Sequence, residues 1–248
     1  MEKLIAQLIR LYLMPGTPAS GDLATAMAQH HAVPLVSGDG LTRAIVIDFA
    51  KLREGAPERH WLDLCAVANT LQHSFGFPAP AVSITGDSGY RLWLSLEEAV
   101  PEGDVRRFVS MLRETHFPET ALPISEQVAL PPGLNPASGK WAAFIHPGMG
   151  ASFADEAGLD IAPPPAAQLA FLEGLESIGK TRFFDALVAL KQNEAASTAV
   201  EAPASASPAP APTPNGLLLK DATLEDIVRH LHALDIEPTF RHLLPRRS

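Results

Sequence analysis

Two stretches of the chain decide its fold: Thr42–Phe49, TRAIVIDF, and Ala81–Leu96, AVSITGDSGYRLWLSL. The first is a β-branched apolar run that ends at the carboxylate of Asp48, which is the pattern of a buried strand. The second consists of two apolar runs around the turn-forming residues GDSG at 86–89, and this combination predicts a β-hairpin.

Amphipathic patterns predict a helix over His60–Phe75, between these two stretches, and another over Glu102–His116, after them. A further strand is predicted at Lys140–Ile145. The order strand, helix, strand, strand, helix, strand is the βαββαβ order of an RRM-like split βαβ fold, in the α/β (α+β) class. Such a sheet has its first and third strands side by side at the centre, so we expect Asp48 to lie near Arg91.

The second arm of the hairpin alternates between two kinds of side chain. Tyr90 and the leucines that follow fall on one face of the sheet, whereas Arg91 and Trp93 fall on the other. An arginine and a tryptophan on one face could receive an anion or stack on a base. The alternative is an arginine whose aliphatic part lies over a half-exposed tryptophan.

Composition and pattern predict three regions: an α/β domain over 1–194, a linker over 195–215 and a tail over 216–248. The domain has its core at about 42–152 and a helical extension over 163–192. The linker is rich in Ala, Pro and Ser. The tail contains an amphipathic pattern at Asp221–Leu234 and is too small to hold a core alone. We expect its helix to dock on a protein partner, on a second copy or on the main domain.

The 248 residues carry a formal net charge of −9, which argues against indiscriminate binding to nucleic acid or membranes but allows a local basic groove. The single cysteine, Cys65, excludes an intrachain disulfide and suits a reducing compartment. No apolar run approaches the roughly 18 residues of a membrane span. We therefore expect a soluble, cytoplasmic protein without a membrane partner.

One sequence motif matches a nucleotide-binding loop: residues 174–181, GLESIGKT, fit the pattern G-x-x-x-x-G-K-[ST]. That loop follows a buried strand and presents backbone N–H groups to phosphates. Here the preceding residues are helical in pattern, and the interior of the motif is bulky and acidic. The sequence therefore favours a helix–turn–helix junction. Histidine and cysteine spacings typical of a metal site are absent from the sequence.

Several motifs taken in order carry a family resemblance. AIVIDF, SITGDSGYRLWLSL and LPPGLNPASGKWAAFIHP resemble the catalytic core of archaeo-eukaryotic-type primases and primase-polymerases, in the branch encoded by plasmids, phages and mobile elements. The resemblance covers residues 42–152. It implies a strand ending in two acids one residue apart that hold a divalent metal, then a Gly-x-His motif that contacts nucleotide phosphates, and a third acid.

By this resemblance Asp48 matches the first acid, whereas Ala50 stands in place of the second. Gly89 and Tyr90 match the approach to the histidine, and Arg91 occupies the histidine position. Glu126 is a candidate for the third acid and, with Asp48, for the metal site. Two-metal phosphoryl transfer requires several carboxylates, so the resemblance implies a degenerate active site, with Mg²⁺ or Mn²⁺ as cofactor only if activity survives.

The sequence thus leads to a primase-like protein that has lost catalysis and binds single-stranded DNA or nucleotides as an accessory to replication of a mobile element. Asp48 and Arg91 form its predicted central site, with Tyr90, Trp93 and Lys140 lining it. Arg91 would grip a phosphate as a bidentate donor. Two alternatives remain. One is an active primase or polymerase in which Asp87 or Glu126 supplies the missing acids, and the other is a protein-interaction module that acts through the tail helix.

Overall fold

The computed structural model describes residues 1–15, 20–51, 58–87 and 89–201. The described residues belong to the first of two units, Met1–Ala202. The predicted tail over 216–248 and the linker residues from 202 onward lie outside the described residues.

The described chain is a mixed α+β fold with antiparallel sheets and seven helices, one of them a 3-10 helix. Its elements are, in chain order, α1 (Glu2–Tyr12), α2 (Ser20–Ala28), β1 (Ala32–Pro34), β2 (Leu41–Ala50), α3 (Arg59–Phe75), β3 (Ala81–Ile84), β4 (Gly89–Pro101), α4 (Glu102–His116), β5 (Gln127–Ala129), β6 (Gly133–Leu134), β7 (Trp141–Ile145), the 3-10 helix (Pro147–Phe153), α5 (Pro165–Glu173) and α6 (Lys180–Glu201).

The main sheet has five strands in the order β2-β4-β3-β7-β6, all antiparallel to their neighbours. The predicted hairpin is confirmed, because β3 pairs with β4 with Ser83 opposite Arg91. The first and third predicted strands are also neighbours, since β2 pairs with β4 and Asp48 lies opposite Arg91.

The expected central position of the first strand is wrong, because β2 lies at one end of this sheet. Its outer edge pairs with the segment 123–125: the N–H of Asp48 donates to the carbonyl of Pro123, and the N–H of Ser125 donates to the carbonyl of Val46. With that edge of β2 occupied, β7 pairs instead with β3. The same segment continues into β5, which pairs with β1 in a separate two-stranded sheet.

Two apolar cores lie on opposite faces of the main sheet. On one face Tyr90, Leu92 and Leu94 pack with α3, α4 and α6. On the other face Trp93 packs with α1, α2 and α5. Because neighbouring side chains of a strand point to opposite faces, β4 contributes to both cores, as its sequence predicts.

The C-terminal boundary of the domain differs from the prediction. Helix α6 continues to Glu201, into the stretch that the sequence assigns to a linker starting at 195. The residues at this point include Ala195 and Ala196, and alanine has the highest helix propensity, so the helix extends until the proline-rich part begins.

Within the part of the chain that the structure describes, no helix combines the length and the apolar character needed to cross a bilayer.

Candidate functional site

Asp48 and Arg91 form an ion pair across neighbouring strands. The Nε of Arg91 donates to Oδ1 of Asp48 at 2.7 Å, and the side chains remain 21% and 30% exposed for Arg91 and Asp48, respectively. The hydroxyl of Ser125 donates to the other carboxylate oxygen, Oδ2. Both oxygens of Asp48 thus accept a hydrogen bond, and the register of β2 on β4 places the two charges together.

The outer nitrogens of Arg91 are available for a ligand. Among the described residues, neither Nη1 nor Nη2 has a hydrogen-bond partner, and neither is enclosed away from solvent. A guanidinium fixed through its Nε presents these two nitrogens as a planar pair of donors, which is the geometry that binds two oxygens of a phosphate or carboxylate.

This pair lies in an open cleft of about 340 Å³ at the ends of β2 and β4. Polar side chains from four separate segments line it: His30, Asp48, Thr85, Asp87, Arg91 and Asn135. The volume is in the range of small-ligand pockets. The prediction that an acid and a guanidinium meet in an open cleft is therefore confirmed.

Four site residues were not identified from the sequence: His30, Thr85 and Asn135, which line the cleft, and Ser125, which binds Asp48. His30 follows α2 with φ of 55°, and its Nδ1 is buried without a hydrogen-bond partner among the described residues. Burial lowers the pKa of His30, and the nearby charge of Arg91 lowers it further. His30 and Ser125 belong to no sequence motif, because His30 reaches the cleft and Ser125 reaches Asp48 through contacts between segments that are distant in the chain.

Gly89 allows the close approach of the two strands at this site. A Cβ on Gly89 would lie 2.7 Å from the carbonyl oxygen of Phe49 and 3.1 Å from Cα of Ala50. Any side chain at this position would therefore push β2 away from β4. Gly89 lines the cleft, and this packing constraint explains its presence without a contact to phosphate.

Tyr90 is among the residues that line the cleft, as predicted, but its ring is buried elsewhere. Its ring lies on the opposite face of β4 from Arg91, with ring centroids 5.1 Å from both His60 and Trp61, and the side chain is fully buried. The hydroxyl donates to the carbonyl of Gly150 at 2.7 Å, and burial raises the pKa of Tyr90.

Trp93 shares the face of Arg91, as predicted, but α1 covers it. Its side chain is 1% exposed and packs on Tyr12 and Phe144, with ring centroids at 5.0 and 5.5 Å. Its Nε1 donates to the hydroxyl of Ser83 at 2.8 Å. Trp93 is thus a core residue and not a surface for stacking a base. The reason is the N-terminal helix, which packs over this part of the sheet.

Lys140 and Glu126, two further predicted site residues, are held by other partners. The Nζ of Lys140 binds Asp160 and Glu156, and these hydrogen bonds raise the pKa of Lys140. The carboxylate of Glu126 accepts a hydrogen bond from Arg106 on α4. Glu126 follows Ser125 directly, and its carboxylate binds Arg106 whereas the side chain of Ser125 binds Asp48.

The residues of the cleft do not fit a divalent metal. In the described ranges, no group of three or more His, Cys, Asp or Glu side chains converges as metal ligands. Asp48 is held by Arg91 and Ser125, and Glu126 binds elsewhere. Two-metal phosphoryl transfer requires carboxylates that are shared between the ions. The described residues of the cleft do not supply such a set of carboxylates.

The segment 174–181 lacks the geometry of a nucleotide loop. Helix α5 precedes it, and Ile178 pairs with β4 through its N–H, which donates to the carbonyl of Ser95 at 2.8 Å. The Nζ of Lys180 binds Glu98 at 3.0 Å. Two helices flank this segment, as expected, but the predicted helix stop at Gly179 is wrong, because α5 ends at Glu173 and Ile178 then pairs with Leu96 before α6 begins.

Neither the models of known protein families nor the curated proteins give a match to this chain.

Proposed function

We propose that this chain is a catalytically degenerate primase-like protein that binds nucleic acid or nucleotide through Arg91, as an accessory to the replication of a mobile element. The observation that carries the proposal is Arg91, which lines an open cleft and whose guanidinium binds Asp48 through its Nε, with no hydrogen-bond partner for its outer nitrogens among the described residues. Arginine fixed in this way is suited to phosphate.

The topology around the cleft supports the family part of the proposal. Helix α3 connects β2 to β3, and β4 lies between these two strands, which is the arrangement of a split βαβ unit. The missing second acid at Ala50 supports the loss of catalysis, because Asp48 binds Arg91 and Ser125, and no group of three or more potential metal ligands converges among the described residues.

The test is binding of a short fluorescein-labelled oligothymidylate by the full chain, measured by fluorescence anisotropy at low salt. We expect Arg91→Ala to weaken binding about tenfold, the usual effect of losing a hydrogen bond to a charged group. Arg91→Lys keeps the charge but loses the planar donor pair, so its affinity should lie between that of the unchanged chain and that of Arg91→Ala.

The matched control is Arg113→Ala, which removes an exposed arginine of α4 that binds Glu114 outside the cleft. Its affinity should equal that of the unchanged chain. Equal affinities for Arg91→Ala and the unchanged chain would contradict the proposal, and so would the absence of oligonucleotide binding by the unchanged chain.

A further inference from the structure

The charges around the cleft limit the ligand that it can accept. Arg91 is the cation that lines the cleft, and Asp87 adds an exposed carboxylate to the same lining. The rim beside Asp87 is acidic, because Asp87 pairs with Ala157 and thereby lies next to the segment 155–160, which carries Asp155, Glu156 and Asp160.

The two rim lysines are already bound to acids. Lys51 binds Asp155 at 3.2 Å, and Lys140 binds Glu156 and Asp160. Among the described residues, the cleft and these two lysine clusters together contain three cations and five carboxylates, a net charge of −2: Arg91, Lys51 and Lys140 with Asp48, Asp87, Asp155, Glu156 and Asp160. A ligand with several negative charges would meet this acidic rim, and the lysines offer little compensation.

The remaining donors of the cleft are neutral. The hydroxyl oxygen of Thr85 accepts hydrogen bonds from the N–H groups of Asp87 and Gly89, so its own hydrogen is left for a ligand. Asn135 accepts from the N–H of Ala137 through Oδ1, which leaves its NH₂ group. Together with Arg91, these groups could bind the oxygens of one phosphate without a second cation.

We propose that the cleft accepts a single phosphate group, the internal phosphodiester of a single strand or the phosphate of a nucleoside monophosphate, and rejects nucleoside triphosphates. This inference rests on the proposed function and specifies its ligand. It separates the chain from a protein that uses triphosphates, because the groups that would neutralise the outer two phosphates are absent from the described lining of the cleft.

The test is competition against the labelled oligothymidylate with EDTA present, using thymidine monophosphate, thymidine triphosphate and a dithymidine phosphodiester as competitors. We expect half-maximal displacement of the oligothymidylate to require about five times more triphosphate than monophosphate, or a still larger excess. The reason is that the added negative charges of the triphosphate approach the acidic rim. The dithymidine and the monophosphate differ in whether their phosphate is internal or terminal, so the stronger competitor identifies the natural source.

Asp87→Asn tests the origin of the discrimination. It removes an exposed carboxylate with little change in shape, so the triphosphate should gain more affinity than the monophosphate. Discrimination that stays the same in Asp87→Asn would overturn the inference, and so would a triphosphate that competes as well as the monophosphate. If either result occurs while oligonucleotide binding still depends on Arg91, the inference fails but the proposed function stands. If the unchanged chain does not bind the oligonucleotide, the proposed function itself fails.

Discussion

Trp93 and Ser83 form a hydrogen bond inside the core between the sheet and α1, although Trp93 stands only two residues from the partly exposed Arg91. A strand turns consecutive residues to opposite faces, so residues two apart share a face. Their surroundings still differ, because α1 packs on Trp93 whereas Arg91 lines the cleft. One face of β4 thus changes from core to open cleft within two residues.

We expect Trp93→Phe to lower the free energy of unfolding by about 1–3 kcal/mol, because it leaves a small cavity and deprives the hydroxyl of Ser83 of its donor. Urea denaturation measures the change. Oligonucleotide affinity at low salt should stay the same, since the indole does not reach the cleft. A loss of affinity comparable to that of Arg91→Ala, with full stability, would show that the indole contacts the ligand.

His30 provides a pH prediction. Burial and the charge of Arg91 lower its pKa below the ordinary value of 6.5. The unfolded chain therefore binds the proton more readily than the folded chain as pH falls below about 6.5. The stability contributed by the neutral imidazole is present above that pH and is lost as pH falls towards the lowered pKa.

Urea denaturation between about pH 7.5 and pH 5.5 measures this loss. His30→Asn should remove part of the pH dependence, because asparagine tolerates the positive φ of 55° at this position and does not titrate. An unchanged pH dependence in His30→Asn would assign the effect to other groups.

The pairing of Asp48 with Arg91 was predictable from the sequence, because alternation and the order of strands bring a strand end next to the second residue past a hairpin turn. The roles of His30 and Ser125 were not. His30 lines the cleft and Ser125 binds Asp48 from distant segments, and no local sequence pattern encodes such a contact. Trp93 was assigned to the cleft because alternation predicts the face but not what packs on that face.

At the scale of elements, α5 completes the hydrogen bonding of β7. Strand β6 reaches only Trp141 and Ala142, so the outer edge of β7 beyond that point needs another partner. The side chain of Gln168 supplies it: Oε1 accepts from the N–H of Phe144 and Nε2 donates to its carbonyl, both at 2.9 Å. A buried amide thus replaces one residue of a missing strand.

We expect Gln168→Leu to lower the free energy of unfolding by about 2–4 kcal/mol, because it leaves a buried N–H and a buried carbonyl without partners. The matched control is Glu173→Ala, an exposed position of the same helix, which should change stability by less than about 0.5 kcal/mol. Chemical denaturation of both variants makes the comparison. A Gln168→Leu chain as stable as the control would show that these two hydrogen bonds contribute little.

Most elements of the described core were predictable, because the two helices with clear apolar stripes begin and end within a residue or so of the prediction. Glu102–His116 is confirmed as α4, and His60–Phe75 corresponds to α3. The position of β2 at the end of the sheet was not predictable, since it depends on the irregular segment 123–125. Such a segment has no periodic pattern from which its pairing could be read.

At the scale of the whole molecule, the basic side chains of α4 are engaged with acids. Arg106 binds Glu102 and Glu126, and Arg107 binds Asp104 at 3.5 Å. With a net charge of −9, the chain has no described basic groove that would follow a nucleic-acid backbone. Affinity should therefore come from few phosphate contacts.

The salt dependence of oligothymidylate binding measures the number of these contacts. A single phosphate contact predicts a slope of roughly −0.7 for log K against log salt concentration, whereas six contacts would give about −4. We expect a slope near that of a single phosphate contact. A steep slope that persists in Arg91→Ala would show that the main contacts lie outside the cleft.

Primer synthesis gives a second test at this scale. Because the described acids do not form a metal site, the full chain supplied with manganese, a single-stranded template and nucleoside triphosphates should yield no dinucleotide products. An established primase in parallel controls the assay. Products that disappear in Asp48→Ala would show that the chain retains catalysis.

The ion pair between Asp48 and Arg91 is also a directly opposed residue pair in the pairing of β2 with β4. A slip of one residue between these strands would send the two side chains to opposite faces. A ligand on Arg91 therefore stabilises only the native register of β2 on β4. The backbone amide hydrogens of both strands should exchange more slowly when the ligand is bound. Ligand binding in the cleft could then be followed by hydrogen exchange at backbone amides of β2 and β4 that do not contact the ligand.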